Sequence, residues 1–157
     1  CAAWHAKFVA MWNTAMAGKT YEPCPPYLVG REKLREFARA VFLTDAIYYD
    51  VTAAQAAGYG DVVAAPTFPV VIQELTLAQL LADPVAAVDF SRVVHGEQRF
   101  TYSRPVIAGD ELTATMTVKS VKQFAGNAML TAESVMVDTA GEHVVTAVSS
   151  LVVRGDD

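Results

Sequence analysis

The sequence predicts an α+β fold in which an antiparallel sheet wraps around one buried helix. Apolar residues recur at helical spacing through most of the first half, and from Ser91 onward they alternate with polar residues, as in strands. Before this change of period, the segment 67–81 is apolar almost all round, which is typical of a helix at the centre of a structure. Helices followed by a run of strands indicate an α+β fold.

The chain begins with a short amphipathic segment, 1–17, which we treat as an N-terminal extension. Its large apolar residues recur at helical intervals, and Gly18 ends the pattern. These residues are Trp4, Phe8, Met11, Trp12 and Met16. Because they would be costly to expose, we expect the extension to pack on its own domain or on a neighbouring subunit. The remaining residues, 18–157, are predicted to form a single domain.

Two segments with contrasting patterns come next. Residues 21–27 should be extended, because three prolines fix φ and remove amide donors. Residues 31–42 carry the clearest helical periodicity of the chain, with an apolar stripe that ends in Val41 and Phe42. We therefore expect a loop followed by a helix that buries this stripe.

Two further helices complete the first half. A short one is expected between Asp50, a suitable N-cap, and Gly58, a suitable C-terminal stop. The central helix over 67–81 starts beside Pro66 and Pro69, which suit a first helical turn, and it should end before Pro84.

The second half is predicted to contain four antiparallel strands. The segments 91–106, 111–121, 128–138 and 142–153 all have strand composition. A turn at "IAGD" joins the first two, and a hairpin turn at "TAGE" joins the last two.

Composition limits the classes of function. Hydrophobic residues make up 53% of the 157 residues, which indicates apolar surface buried in a subunit interface or around an apolar ligand. No apolar run approaches the roughly 18 residues that a membrane span requires. The net charge of −5 and the scattered basic residues argue against nucleic-acid binding. With only two cysteines, Cys1 and Cys24, and no metal-ligand spacing, neither a disulfide framework nor a zinc site is expected. No secretory leader is visible, so we expect a cytoplasmic protein.

Four blocks, taken in order, resemble a known family. They are "VGREKLREFARAV", "AGYGDVVAAPTF", "FSRVVHGEQRFTYSRPVIAGDELTA" and "DTAGEHVVTAVSSLVVR". Together they resemble the MaoC-like hot-dog dehydratases, and most closely the branch with an N-terminal MaoC dehydratase (FAS1-like) domain, which includes the A subunit of the mycobacterial (3R)-hydroxyacyl-ACP dehydratase. The resemblance covers residues from about 18 to 154.

The resemblance implies a hot-dog fold, with the helix 67–81 enclosed by the sheet, and pairing of two such folds around an acyl tunnel. It also implies reversible dehydration of a (3R)-3-hydroxyacyl thioester, carried by CoA or acyl carrier protein, without metal or organic cofactor. In active members an Asp and a His five positions later act as general acid and base. Backbone amides at the start of the central helix polarise the thioester carbonyl.

This chain departs from the family where the acid–base pair should stand. Aligning "AVFLTDAIYYD" with the family's "AVGDxNPxHxD" puts Leu43 at the Asp position and Tyr48 at the His position. Leu cannot exchange a proton, and Tyr, with an ordinary pKa of about 10, is a poor base at pH 7. Moving the alignment does not help, because Asp50 stands five positions beyond Asp45. We therefore predict no catalytic residue in this chain.

The resemblance does suggest a set of substrate-binding residues around the former catalytic position and the start of the central helix. The set comprises Leu43, Asp45, Tyr48, Pro66, Thr67, Phe68 and His95. Within it, His95 is expected to be a hydrogen-bonded structural residue. Arg104, outside the set, could meet a phosphopantetheine or carrier-protein carboxylate, but we expect a salt bridge at the end of its strand.

Three functions remain open on these grounds. The first is an acyl-binding, non-catalytic hot-dog subunit, paired with a related subunit that supplies Asp and His. The second is a homodimeric hot-dog protein that binds an apolar small molecule without turnover. The third is a different hot-dog reaction, such as thioester hydrolysis, with Asp45 or Glu97 as the base.

Overall fold

The computed structural model of the chain describes residues 12–86 and 88–154. The first half contains three helices, α1 (Arg31–Ala40), α2 (Val51–Ala56) and α3 (Pro69–Ala82), preceded by a two-residue strand, β1 (Tyr27–Leu28). Four long strands follow. They are β2 (Val93–Tyr102), β3 (Glu111–Phe124), β4 (Asn127–Val137) and β5 (His143–Val153).

The strands form one antiparallel sheet in the order β1-β3-β4-β5-β2. The two hairpins β3–β4 and β4–β5 form its centre, and β2 crosses over to pair with β5. Helix α3 lies against this sheet, with contacts to β3 and β5. The prediction of an α+β fold with a central helix wrapped by an antiparallel sheet is confirmed.

The periodic patterns predicted most elements to within a few residues. Asp50 caps α2 through its carboxylate, which accepts the Ala53 amide at 2.7 Å, and Gly58 after the helix has a φ of +94°. Alternation in β3 and β4 puts alternate side chains in the core, as the period of two requires. None of the helices among the described residues is long and apolar enough to cross a membrane.

The core consists of two apolar clusters along α3. The larger cluster surrounds the first half of the helix and includes Phe68 and Ile72, both fully buried. The smaller surrounds the second half and includes Leu80 and Met116. Phe37 of α1 stacks edge-on against Phe68, with ring centroids 5.5 Å apart. Helix α1 is thereby fixed to the larger cluster.

The described part of the N-terminal extension packs into the smaller cluster. Trp12 and Met16 are 1% and 0% exposed, and the Trp12 indole donates to the Leu151 carbonyl at 3.1 Å. Thr14–Met16 form a single 3₁₀ turn. The predicted amphipathic helix falls mostly on residues 1–11, which lie outside the described residues.

Residues 21–26 form no helix or strand, in keeping with the expected extended loop, and a short edge strand β1 follows, in which Tyr27 and Leu28 pair with Leu112 and Glu111. One local expectation was wrong. Helix α1 ends at Ala40, so the last two residues of its predicted apolar stripe leave the core. Val41 is 40% exposed, and Phe42 is 89% exposed with a φ of +60°, which directs the chain away from the helix axis.

A cluster of polar side chains fixes the C-terminal end of α3. The Asp83 carboxylate, which is nearly buried, accepts hydrogen bonds from the Lys19 ammonium, from the Tyr21 hydroxyl at 2.7 Å and from the Val85 amide at 2.9 Å. These donors lower the pKa of Asp83 to about 2. The cluster joins the segment before β1 to the end of the central helix.

Replacing Asp83 with Asn should lower the melting temperature at pH 7. A carboxylate with a lowered folded pKa stabilises the fold above its unfolded pKa of about 4, and it loses that effect as the pH falls towards about 2. The difference between wild type and Asp83→Asn should therefore disappear between pH 4 and pH 2 in thermal unfolding followed by circular dichroism. Asp50→Asn is the control, because Asn caps a helix as well as Asp does. A difference that persists unchanged at pH 2 would contradict this account.

Candidate functional site

A cleft of about 380 Å³ opens beside the turn that precedes α3. The cleft is bounded by this turn, by the loop before α2 and by the segment at the end of β2. Its walls are mostly apolar and aromatic, with three tyrosines. The lining residues are Ile47, Tyr48, Tyr59, Val63, Ala64, Pro66, Tyr102, Ser103, Arg104, Pro105 and Val106. A concave, largely apolar site with a few polar groups is the usual form of a small-molecule site.

Tyr102 ties the end of β2 to the turn before α3. Its hydroxyl donates to the Pro66 carbonyl, and its ring lies 6.5 Å from the Phe100 ring, centroid to centroid. Burial raises the pKa of Tyr102 to about 12. The phenol therefore stays protonated at neutral pH, where it is a donor and not a base.

The loop carrying Leu43 and Tyr48, which align with the Asp and His positions of the family pattern, is held by its own hydrogen bonds. Asp45 accepts the Ile47 amide at 3.0 Å and so caps the 3₁₀ turn Ala46–Tyr48. The Val63 amide donates to the Ile47 carbonyl at 3.1 Å, and the Tyr49 hydroxyl donates to the Leu43 carbonyl. These bonds direct Tyr48 into the cleft, whereas Leu43 is half-buried against the larger core cluster.

The structure brings together only part of the predicted binding set. Tyr48 and Pro66 line the cleft. Phe68 is fully buried in the core, Thr67 is exposed, and neither they nor Leu43 and Asp45 line the cleft.

His95 lies elsewhere, at a β-bulge in β2. It borders a separate, small cavity under α3, and its Nε2 atom is 2.9 Å from the Glu97 carbonyl oxygen. The expected structural hydrogen bond of His95 is therefore present. It does not bring an imidazole to the cleft.

Amides at the start of α3 are largely occupied. The Phe68 amide donates to the Ala65 carbonyl at 2.9 Å, and the Val70 and Val71 amides donate to Thr67 and Phe68 at 3.2 and 2.9 Å. Pro66 and Pro69 have no amide hydrogen. Of the residues from 66 to 71, Thr67 alone retains an amide without an assigned backbone acceptor among the described residues. The turn thus offers little of the donor array that an oxyanion requires.

Arg104 is engaged within the chain. Its guanidinium makes two hydrogen bonds to Asp110, at 2.8 and 3.0 Å, and a longer one to Asp138 at 3.4 Å. The pairing with Asp110 raises the pKa of Arg104. The expected strand-end salt bridge is confirmed, and the positive charge at the edge of the cleft is compensated.

Several residues of the site were not predicted. Tyr59, Tyr102 and Ser103 reach the cleft only through the folding of the sheet. Ser103 contacts His143 Nδ1, and His143 Nε2 lies 2.7 Å from the Thr146 hydroxyl, so this imidazole is half-buried between two hydroxyls. The alternation of Gln98, Phe100 and Tyr102 could have indicated that all three share the inner face of β2.

The chain matches the family described as "FAS1-like, dehydratase domain region" over residues 15–147. A protein of the UPF0336 group from Leifsonia xyli subsp. xyli is 66% identical over 145 residues, covering 92% of this chain and 97% of that protein. A UPF0336 protein from Clavibacter michiganensis is 63% identical over the same coverage.

Solved structures agree with this match. A C-terminally truncated HadBC (3R-hydroxyacyl-ACP dehydratase) complex from Mycobacterium tuberculosis superposes with a TM-score of 0.81 and 30% identity over 89% of this chain and 98% of that one. A MaoC-like dehydratase superposes with a TM-score of 0.83 and 35% identity, covering 91% of this chain and 43% of that one. The ChsH1–ChsH2 complex from M. tuberculosis, at 20% identity and a TM-score of 0.62, shares the fold. The expected hot-dog fold is confirmed.

Tyr102→Phe should lower the free energy of unfolding by about 1 kcal/mol, because one side-chain hydrogen bond to the Pro66 carbonyl is lost. Urea unfolding at pH 7 measures this difference. Tyr59→Phe removes a phenol from the same cleft that has no assigned hydrogen bond within the described part of the chain, and it should be nearly neutral. Equal effects of the two changes would rule out the anchoring role of Tyr102.

Proposed function

Because the chain belongs to the FAS1-like branch of the MaoC-like hot-dog dehydratases, we propose that it is the acyl-binding, non-catalytic subunit of a (3R)-3-hydroxyacyl-thioester dehydratase. In this proposal the chain forms part of the acyl tunnel, and a related hot-dog subunit supplies the Asp and the His. The observation that carries the proposal is the occupation of the two catalytic positions by Leu43 and Tyr48.

The chemistry requires two proton transfers. A base removes the α-proton of the thioester, and an acid protonates the departing hydroxyl. The titratable side chains that line the cleft are Tyr48, Tyr59, Tyr102 and Arg104. Arg104 is fixed in its salt bridge, and Tyr102, with a pKa of about 12, holds its proton. A tyrosine can donate a proton but is a poor base at pH 7, so this side of the tunnel lacks half of the required pair.

The other open reaction gains no support from the geometry. Thioester hydrolysis would use Asp45 or Glu97 as a base. Asp45 is exposed and caps its own turn, and Glu97 is exposed and paired with Arg99 at 2.7 Å. Neither carboxylate lines the cleft.

The chain's own contribution is to bind and orient an acyl thioester. Tyrosine rings and the aliphatic groups of Val63, Ala64 and Val106 form walls from which water is excluded when a ligand enters. Hydrogen bonding by the Tyr102 phenol keeps the turn before α3 in place, so that the tunnel wall is rigid on this side. The Thr67 amide directly follows Pro66, which lines the cleft, and of residues 66 to 71 it alone has no assigned backbone acceptor among the described residues.

A partner chain would pair along β2. Within residues 12–86 and 88–154, this strand is the long edge of the sheet, with 10 residues from Val93 to Tyr102, whereas the opposite edge strand β1 has two. An exposed edge of this length presents unpaired backbone groups that proteins normally cover. The HadBC and ChsH1–ChsH2 structures are heteromeric complexes, which supports a second hot-dog chain as the cover.

The purified chain alone should show no measurable hydration of a trans-2-enoyl-CoA or of the matching acyl carrier protein thioester at pH 7. Addition of a hot-dog subunit that carries Asp and, five positions later, His should produce turnover. The loss of the ultraviolet absorbance of the enoyl thioester follows the reaction. A partner in which that His is replaced with Ala is the control, and it should abolish the activity of the pair.

Substantial turnover by the chain alone that is lost in Tyr48→Phe or His95→Ala would overturn the proposal. A homodimer that ignores every catalytic partner and retains a bound apolar molecule in native mass spectrometry would instead favour a binding protein without turnover.

A further inference from the structure

A band of polar side chains crosses the core between its two apolar clusters. The Gln98 side chain of β2 donates to the side-chain carbonyl of Gln73 in α3 at 2.9 Å, and the Ser149 hydroxyl of β5 donates to the side-chain carbonyl of Gln98. The Thr76 hydroxyl, also in α3, lies 2.9 Å from the Ser134 hydroxyl in β4. Gln73, Thr76, Ser134 and Ser149 are 6%, 0%, 0% and 7% exposed. We call Gln73, Thr76, Gln98, Ser134 and Ser149 the polar band.

The polar band borders a small cavity of about 40 Å³ under α3. The polar residues Gln73, Gln98, Ser149 and His95 line it, together with Glu74, Thr76 and the apolar side chains of Val70, Leu77, Met116, Ala132 and Leu151. This space is large enough for one or two water molecules and is bordered by enough polar groups to hold one.

The cavity and the cleft lie along one seam between α3 and β2. On the helix side, Pro66 lines the cleft, and Val70, about one turn further along, lines the cavity. On the strand side, Tyr102 lines the cleft and Gln98 lines the cavity. Four residues of a strand span about 13 Å, so the polar band lies about that far from the cleft along β2. Phe100 occupies the position between them and packs against the larger cluster.

We propose that the polar band limits the length of the acyl chain: short acyl groups fit before it, and long saturated chains are disfavoured. This inference rests on the proposed function, because it assumes that an acyl group enters the seam from the cleft. Each methylene that is buried before the band improves binding by about fourfold. A chain that reaches the band must separate the Gln73–Gln98 pair, and a buried amide left unpaired weakens binding by about 5- to 150-fold.

The cavity distinguishes a polar band that limits acyl-chain length from one that only packs the core. Apolar side chains of similar shape could replace a buried hydrogen-bonded set with little loss of stability. Here the Gln73 and Gln98 side-chain amides instead border a cavity, and this cavity lies on the same side of α3 as the cleft. An alkyl chain extending along that face from the cleft would pass Phe100 and then meet Gln73 and Gln98 before it reached Leu77.

Binding of S-alkyl pantetheine thioethers of 4, 8, 12 and 16 carbons to the full-length chain tests the inference by isothermal titration calorimetry. The wild-type affinity should rise with length, pass through a maximum and then fall by about tenfold or more. In the variant Gln73→Met/Gln98→Met/Ser149→Ala, both sides of the amide pair become apolar. Its affinity should keep rising to the longest chain, with at least a tenfold gain over wild type for that ligand. Gln123→Leu, on the exposed end of β3, is the matched control and should keep the wild-type profile.

Each outcome decides the question. A wild-type affinity that rises without a maximum overturns the length limit and leaves the proposed acyl-binding function standing. A maximum that persists in the triple variant places the limit elsewhere and overturns the role of the band. No binding of any thioether, either by the chain alone or by the chain paired with a catalytic hot-dog subunit, overturns the proposed function and the inference with it. If the triple variant does not fold, the wild-type profile still gives the first of these answers.

Discussion

The packing of α3 against the antiparallel sheet is the constraint on which the rest of the structure depends. One turn before the helix, the Pro66 carbonyl accepts the Tyr102 hydroxyl and forms one wall of the cleft. In the middle of the helix, Gln73 meets Gln98 across the seam with β2. At its end, Asp83 joins Lys19 and Tyr21. Every site described above is therefore positioned by the same helix, and a displacement of α3 would alter the cleft, the polar band and the ionic cluster together.

The loop after α1 has a backbone conformation that fits the family pattern, but its side chains differ from that pattern at the Asp and His positions. Phe42 adopts a φ of +60°, a left-handed conformation that favours glycine, and it stands where the resembling family pattern has Gly. The backbone therefore turns there as a glycine would allow, even though a large and 89% exposed side chain occupies the position. Tyr48 is likewise directed into the cleft from the His position. The backbone turn of the family pattern is thus retained, while Leu43 and Tyr48 stand at the positions that align with its Asp and His.

Periodicity predicted the fold well because each long element repeats its pattern several times. The alternation in β3 and β4 and the Asp50 cap of α2 are local properties that a sequence shows directly. The cleft was predicted only in part, since its walls come from segments about 40 residues apart that meet only after β2 pairs with β5. Tyr102 and Ser103 reach the cleft in this way, and Phe68 is withdrawn into the core by its contact with Phe37. Val41 and Phe42 were wrongly predicted to be buried on the helix, because the helical pattern continues past Ala40, where the helix ends.

The most direct test of the central claim is exchange of the α-hydrogen of an acyl thioester in D₂O, followed by NMR or mass spectrometry. Abstraction of this proton is the step for which Leu43 and Tyr48 provide no base at neutral pH. With the chain alone, deuterium should enter the α-position no faster than in buffer, and a catalytic partner should accelerate the exchange. Rapid exchange by the chain alone, abolished by Tyr48→Phe, would contradict the account.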